Sequence, residues 1–517
     1  LYNDNAVKFC TTTYGACVAG SLCATTLYGD GSNLTGITAG FDPDAQENLY
    51  AGTGAGAASD ADTCFNIALG CNAGNDLNSG DYNVFLGNAA GQAATSGTGN
   101  IFLGRDAGYC TTDGGCTFAA GFYAAKCRNS GNDIFIGSYA GMGCNGATGG
   151  CNIALGHHAG RCGTTGSNSV FLGRYAGKHT TTGNYNIFFG RSAGQCNTTG
   201  TCNVAAGVFA AKCRNSSNGV FIGRYAGMGC DGATGAGNIM LGNEAGKCST
   251  TGANNVIFGS CAAQRITTGG YNVIFGQQAA KCFTAGANNV FLGSYVAYGA
   301  DSTGDNNIFL GNRAGYCITS GCHNIFLGCE AGKCITCGVG NIILGCETGK
   351  KITAANDNVF LGRCAGGFCT ITGDNNIALG FSAAKKITSG AYNIFFGSSV
   401  ASEGVITGCN NVVLGSRSGY CLTSGGCNVF IGQCSGYKVD SGKCNSFLGW
   451  CAGHNVTTGF DNVFLGRDAG KGCSTGSTGN NNVAIGVAGG SKLTSGSNNI
   501  FLGRYAGCST STGDHNF

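Results

Sequence analysis

The chain has 517 residues, of which 97 are Gly, 34 are Cys and one is Pro; only 10% are charged, and the formal net charge is +3. An apolar fraction of 43% with few charges is the reverse of a disordered composition, and a single Pro rules out a collagen-like Gly-X-Y chain. Gly, Asn or Thr interrupts the apolar runs after a few residues, far short of the roughly 20 that a membrane-spanning helix needs, and no basic excess points to nucleic acid.

Residues 1–37 alternate apolar and polar in places (Val7, Phe9; Val18, Leu22, Ala24) and are expected to form a short β-strand linking module. Residues 38–63 hold Pro43 and a cluster of acids, and are expected to be an irregular connector. Their spacing matches neither an EF-hand loop nor a calcium-binding solenoid repeat, so a solvated loop is the expectation there.

From residue 64 onward one unit repeats. NIALG at Asn66 is followed by NVFLG at Asn83 and NIFLG at Asn100, and the series ends with NIFLG at Asn499. There are 26 complete units, usually spaced by 17 residues, with excursions to 16, 18, 19 and 20. A larger block also recurs: CTFAAGFYAAKCRNS at Cys116 returns as CNVAAGVFAAKCRNS at Cys202, 86 residues later. The closing residues GDHNF open another unit, so the array is expected to continue past residue 517.

With Asn as position 0, position 1 is Ile or Val in 24 of 26 units, position 2 is Phe in 15, and position 4 is Gly in all 26. The apolar run at positions 1–3 predicts a short strand. The Gly that follows predicts a tight corner; this column contains Gly70, Gly87, Gly104, Gly137, Gly173, Gly190, Gly223, Gly311, Gly328, Gly466 and Gly503. The small residues at positions 7 and 8 and the TTG, TSG or STG near the end of the unit predict further turns.

Seventeen residues are too few for a βα unit, which needs roughly 30, but suffice for one coil of a parallel β-solenoid. At about 4.8 Å per coil the array would be a rod of roughly 125 Å. The predicted class is therefore all-β, a β-roll or β-helix.

Alternate strand residues face opposite ways. If positions 1 and 3 fill the coil, position 2 forms an outward apolar stripe: Phe85, Phe102, Phe135, Phe171, Phe188, Phe221, Phe291, Phe309, Phe326 and their equivalents. Such a stripe exceeds the few hundred Å² that monomers expose. Its economical cover is the same stripe on symmetry-related copies, hence an expected parallel homotrimer. The competing reading is a single solenoid that folds a second layer over the strand, and the units are too short to supply one.

The cysteines follow the repeat in columns. Cys110/Cys116, Cys196/Cys202 and Cys421/Cys427 share one spacing, as if each pair spanned the same corner. Two readings stand: small buried or stacked thiols, or disulfides, either at those corners or between column neighbours, for which parallel Cβ vectors are unfavourable.

The repeated NIFLGxxAG…TTGxN pattern resembles the repeat region of tail fibres from marine bacteriophages, particularly those infecting cyanobacteria. NIALG at Asn66 and NVAIG at Asn482 are similar to the coils of trimeric autotransporter adhesin heads, which are β-rolls in trimers. LYNDNAVKFC…GDGSNLTGI at the start resembles the linking modules of phage fibres. The resemblance implies the shaft of a tail fibre in the virion tail, outside the cell, whose partners are itself, other tail or fibre proteins and, through its tip, a host surface receptor of glycan or protein. The alternative it implies is a bacterial extracellular adhesin or surface filament. No nucleophile elbow, phosphate loop or zinc-protease motif is present, so neither catalysis nor a metal or cofactor is expected.

Overall fold

The computed structural model describes residues 43–517, apart from 145, 231, 300 and 301, together with four short strands nearer the start. Tyr2–Asn3 pairs antiparallel with Ala6–Val7, and Phe9–Thr12 with Gly15–Val18. The rest of the expected linking module lies outside the described residues.

The array is a parallel β-solenoid of about 26 coils with a repeat near 17 residues. Each coil contributes one three-residue strand to a single parallel stack running from Leu49–Ala51 to Ile500–Leu502. The register is residue on equivalent residue: Val84, Phe85 and Leu86 lie beside Ile101, Phe102 and Leu103. Coils of 16, 18, 19 or 20 residues keep this register, because the added or lost residues fall in the turns. Ile134–Ile136 pairs in step with Ile153–Leu155 across a 19-residue coil. Among the described residues there is no helix.

Stacking begins earlier than the sequence suggests. Leu49–Ala51 pairs with Ile67–Leu69, and the Asn48 Oδ1 accepts the Asn66 backbone N–H at 2.8 Å. Residues 44–63, expected to be an irregular connector, therefore form a coil. The unit is degenerate there: Asn-Leu-Tyr-Ala-Gly replaces the usual strand run.

The strand faces are the reverse of those expected. Phe85, Phe102, Phe135, Phe171, Phe188, Phe221, Phe291, Phe309 and Phe326 all lie inside their own chain's coil, and none is more than 5% exposed. They are not an inter-chain stripe. The reason is position 0, two residues before each of them and Asn in most coils. Positions 0 and 2 share a strand face, and the Asn is buried because its amide bonds from coil to coil. This commits position 2 to the interior and turns positions 1 and 3 outward. The Phe rings then stack along the core; Phe291, Phe309 and Phe326 succeed one another at 5.2 and 4.5 Å between centroids.

The small residues follow from this. A Cβ at Gly91, position 8, would lie 2.8 Å from the Phe85 ring. At position 4 the constraint is the next coil: a Cβ on Gly242 (φ +133°) would lie 2.5 Å from the Gly259 carbonyl oxygen. The corner glycines named from sequence all have positive φ, from 116° at Gly503 to 141° at Gly70. The corners are not left to Gly alone. Position 6 and the residue before the Asn also take left-handed φ near 55–60° on ordinary side chains, such as Tyr175 at 61° and Cys116 at 54°.

Candidate functional site and the columns that build it

The innermost polar column is the asparagine ladder. From Asn238 to Asn499 every Asn at position 0 has its backbone N–H or side-chain amide bonded along the column. Asn272 is typical: its N–H and its Nδ2 both donate to Asn255 Oδ1, at 3.0 and 2.9 Å, and its Nδ2 also donates to the Gly286 carbonyl at 2.9 Å. The groups are buried, so each bond replaces water that cannot reach them. A second column forms at the TTG turns, where Thr164, Thr181, Thr250 and Thr267 hydroxyls each donate to the carbonyl of the Thr in the next coil at 3.0 Å.

In the first half Thr117, Asp133, Ser169 and Gly219 replace the Asn; Asp133 and Ser169 still accept the N–H of the next rung, from Asn152 and Asn186, and the ladder is interrupted after Thr117 and Gly219. Two buried arginines sit beside these breaks. Arg128 occupies position 11, which is Leu77, Ile266 or Ile318 in other coils. Its Nε lies 3.7 Å from Asp133 Oδ2 and donates to Ser130 Oγ at 3.0 Å, and its guanidinium also reaches the Gly149 carbonyl. Burial pushes the Asp133 carboxyl up, and the Arg128 charge opposes that. Arg214 is its duplicate 86 residues on, but Gly219 stands where Asp133 would be. Arg214 is satisfied by the Gly227, Gly235 and Ser249 carbonyls at 2.9, 3.1 and 3.0 Å and by the Ser249 hydroxyl. Burial lowers its guanidinium to about 10.

The outward strand face is apolar in all but one strand, where Ser446 stands at position 1. In one strand Ile187 and Phe189 are 48% and 58% exposed while Phe188 between them is 1% exposed. Ile101, Ile134, Ile136, Ile308, Ile394, Phe396 and Leu448 continue the two outward columns.

A different flank carries rings and cations. At position 6 of successive coils, Tyr139, His158 and Tyr175 stack in sequence at 4.6 and 5.3 Å, with the cations at positions 5 and 9. Lys126 lies 4.0 Å from the Tyr123 ring and Arg174 lies 4.8 Å from that of Tyr175. Burial, with His157, Arg161 and Lys178 nearby, lowers His158 to about 4. Farther along, acids join the same flank: Glu330 meets Lys333 and Lys350 at 2.9 and 3.2 Å, and these ammonium groups hold its carboxyl low.

The cysteine contacts run up the columns. Cys213 Sγ lies 3.2 Å from Cys196 Sγ, and burial and the neighbouring Cys110 and Cys427 thiols push Cys127 and Cys444 up. Cys116, Cys202 and Cys427 are exposed at left-handed corners, whereas Cys110, Cys196 and Cys421 are half-buried. The arrangement is one of stacking between coils, and the three expected corner pairs are not brought into contact. Among the described residues no group of three His, Cys, Asp or Glu side chains could hold a metal ion.

The sequence reading missed the ladder, the buried arginines and the outward columns at positions 1 and 3. Each had a signal: Asn recurs as a polar residue immediately before an apolar strand, and Arg128 and Arg214 fall in an otherwise apolar column. No protein-family model matches the chain and no curated protein matches it.

Proposed function

We propose that the chain is the shaft of an extended fibre, built from three parallel copies packed about a common axis, and that it serves as a spacer in a bacteriophage tail fibre, outside the cell. The observation that carries this is the pair of outward apolar columns. At positions 1 and 3 a half-buried to exposed Ile or Val and a half-buried to exposed Leu, Ile or Phe recur on the same face through most of the coils, a far longer patch than monomers leave in water. A second copy in the same orientation offers the same columns at the same 17-residue repeat, so symmetric packing covers all of them at once. Stiffness follows from stacking: each coil is bonded to both neighbours by backbone, Asn and Thr columns. Length is set by repeat number, so the chemistry of such a protein is mechanical: it would hold a receptor-binding tip at a fixed distance from the rest of the particle.

The test is the native mass of the chain with and without polar substitutions on the outward columns. Three chain masses are expected for the unaltered protein, and one for a variant carrying Ser at Ile187, Phe189, Ile308, Leu310, Ile394 and Phe396. A single-chain mass for the unaltered protein at micromolar concentration overturns the assembly. Cleavage of a surface polysaccharide by the intact particle would overturn the spacer role.

A further inference from the structure

We propose that Cys110–Cys127 and Cys196–Cys213 are redox staples, pairs of thiols on adjacent coils that close to disulfides by exchange with a small-molecule disulfide. The proposal is independent of the fibre reading.

Three observations carry it. The first is contact. Cys196 and Cys213 bring their sulfur atoms to 3.2 Å, and Cys110 and Cys127, 86 residues earlier, stand at the same position of the equivalent stacked coils. The second is backbone handedness. Stacked residues on parallel coils normally hold their Cβ vectors parallel, which is poor geometry for a disulfide. Here Cys127 and Cys213 have left-handed φ of 59° and 58°, whereas Cys110 and Cys196 have no positive φ. The change of sign turns one Cβ of each pair out of the parallel alignment. Cys317 and Cys334 occupy the same position of adjacent units, but neither has a positive φ, so they form an internal control.

The third observation is placement. Cys127 and Cys213 belong to the two coils that begin at Thr117 and Asn203, which are one residue short of the usual 17. The asparagine ladder lapses beside both coils, after Thr117 for one and after Gly219 for the other, neither of which carries an amide side chain, whereas the rungs that the staples would span are made by the Thr117 N–H on Asn100 Oδ1 and by the Asn203 N–H and Nδ2 on Asn186 Oδ1. Each of these coils also buries an arginine, Arg128 or Arg214, where its neighbours place smaller or apolar side chains. Each staple thus ties to the preceding coil a coil whose link to the following part of the ladder is weakened. The 86-residue duplication has kept the cysteine pair in both copies while Asp133 became Gly219.

The chemistry balances with one equivalent of the external disulfide. A Cys thiolate attacks one sulfur of the reagent, breaking its S–S bond and releasing one thiol. The second Cys then attacks the mixed disulfide, forming the Sγ–Sγ bond and releasing the other thiol. The two protein thiols lose two protons and two electrons, and the reagent takes up both. Burial and the Cys110 thiol push Cys127 up to about 12, so its thiolate is scarce at neutral pH and the exchange should quicken as pH rises.

The test uses the full chain, reduced and then incubated with oxidised glutathione at about pH 9. Remaining thiols are blocked with a maleimide, the protein is digested without reductant, and linked peptides are identified by mass. Cross-links 110–127 and 196–213 are expected, with Cys317 and Cys334 still blocked by maleimide. Cross-links 110–116 or 196–202 in their place, or glutathione retained on both members of each pair, would overturn the proposal. Amide hydrogen exchange supplies a second readout. Oxidation should slow exchange in residues 111–127 and 197–213 by about tenfold or more. The change should be absent in the double variant C127S/C213S, whose exchange under reductant should match that of the reduced parent. Equal protection of the parent before and after oxidation would also sink the idea.

Discussion

Asn255 Oδ1 accepts two hydrogen bonds from Asn272, one from the backbone and one from the side chain, and Asn272 Oδ1 accepts the same two from Asn289, each at 3.0 Å. One side chain therefore serves three coils. Replacing Asn272 by Ala leaves the Gly286 carbonyl, the Asn289 N–H and one Asn289 amide proton unpaired in a dry interior. At about 1–3 kcal/mol for each such group, the variant N272A should lose at least about 3 kcal/mol locally. N272S should lose less, since Ser169 already fills one rung and accepts the Asn186 N–H at 3.1 Å. Long repeat arrays do not unfold in one step, so the measurement is amide exchange in residues 272–288. Equal exchange in N272A and the parent would show that the ladder holds nothing.

The corner glycines offer a comparison that separates backbone strain from coil contact. Gly242 and Gly99 both have positive φ, 133° and 71°, but a Cβ on Gly99 would meet nothing nearer than the Cys116 Sγ at 3.5 Å. G99A should cost only the left-handed strain, about 1–2 kcal/mol. G242A must in addition push Gly259 away from the stack and so should open several coils to exchange. If the two variants exchange alike, the close approach at 2.5 Å is not what keeps this column glycine.

Much of this fold was legible because a 17-residue period exposes every column to inspection. The strand at positions 1–3, the Gly corner and the all-β class of the described residues followed from residue type and spacing. The assignment of strand faces was not legible from hydrophobicity, since positions 1, 2 and 3 are all apolar; the buried polar Asn decides it. Had Asn66 and its equivalents been read as core residues that bond along the stack, Phe85 and Phe102 would have followed them inward. Left-handed φ at Tyr175 and Cys127 leaves no trace in residue type, because neither side chain favours that conformation. The staple geometry therefore needed the structure, whereas the Arg128 and Arg214 anomalies did not: each interrupts a small or apolar column with a charge.

The buried pair Arg128 and Asp133 illustrates a general asymmetry of interior charges. Removing one partner strands the other, and D133A should cost about 3–5 kcal/mol. Replacing both with the residues found at these positions in other coils, as in R128L/D133N, removes the charges together and restores the ladder amide. That double variant should recover most of the loss and could exceed the parent in stability. Denaturant series on the two variants check the ordering. A double variant less stable than D133A would mean that the Arg128 bonds to Ser130 and Gly149 outweigh the cost of burying the charge.

The stacked imidazole of His158 makes the ring-bearing flank sensitive to acid. His158 lies between Tyr139 and Tyr175, and burial together with the cations Arg161, Lys178 and Arg174 lowers its pKa from 6.5 to about 4. Between these values the unfolded coil binds a proton that the folded coil refuses, so stability must fall as pH drops. The contribution is complete above pH 6.5, declines through the window, and is lost below about 4. His454, stacked on Tyr437 at 4.8 Å, is shifted in the same direction by burial. Amide exchange in residues 152–168 should therefore quicken between pH 6.5 and 4 after correction for the intrinsic rate, while H158F, which keeps a ring in the stack and cannot take up a proton, should be flat over the same range. An unchanged slope in H158F would place the acid sensitivity elsewhere, with His179, which burial and Lys178 also lower, as the group to replace next.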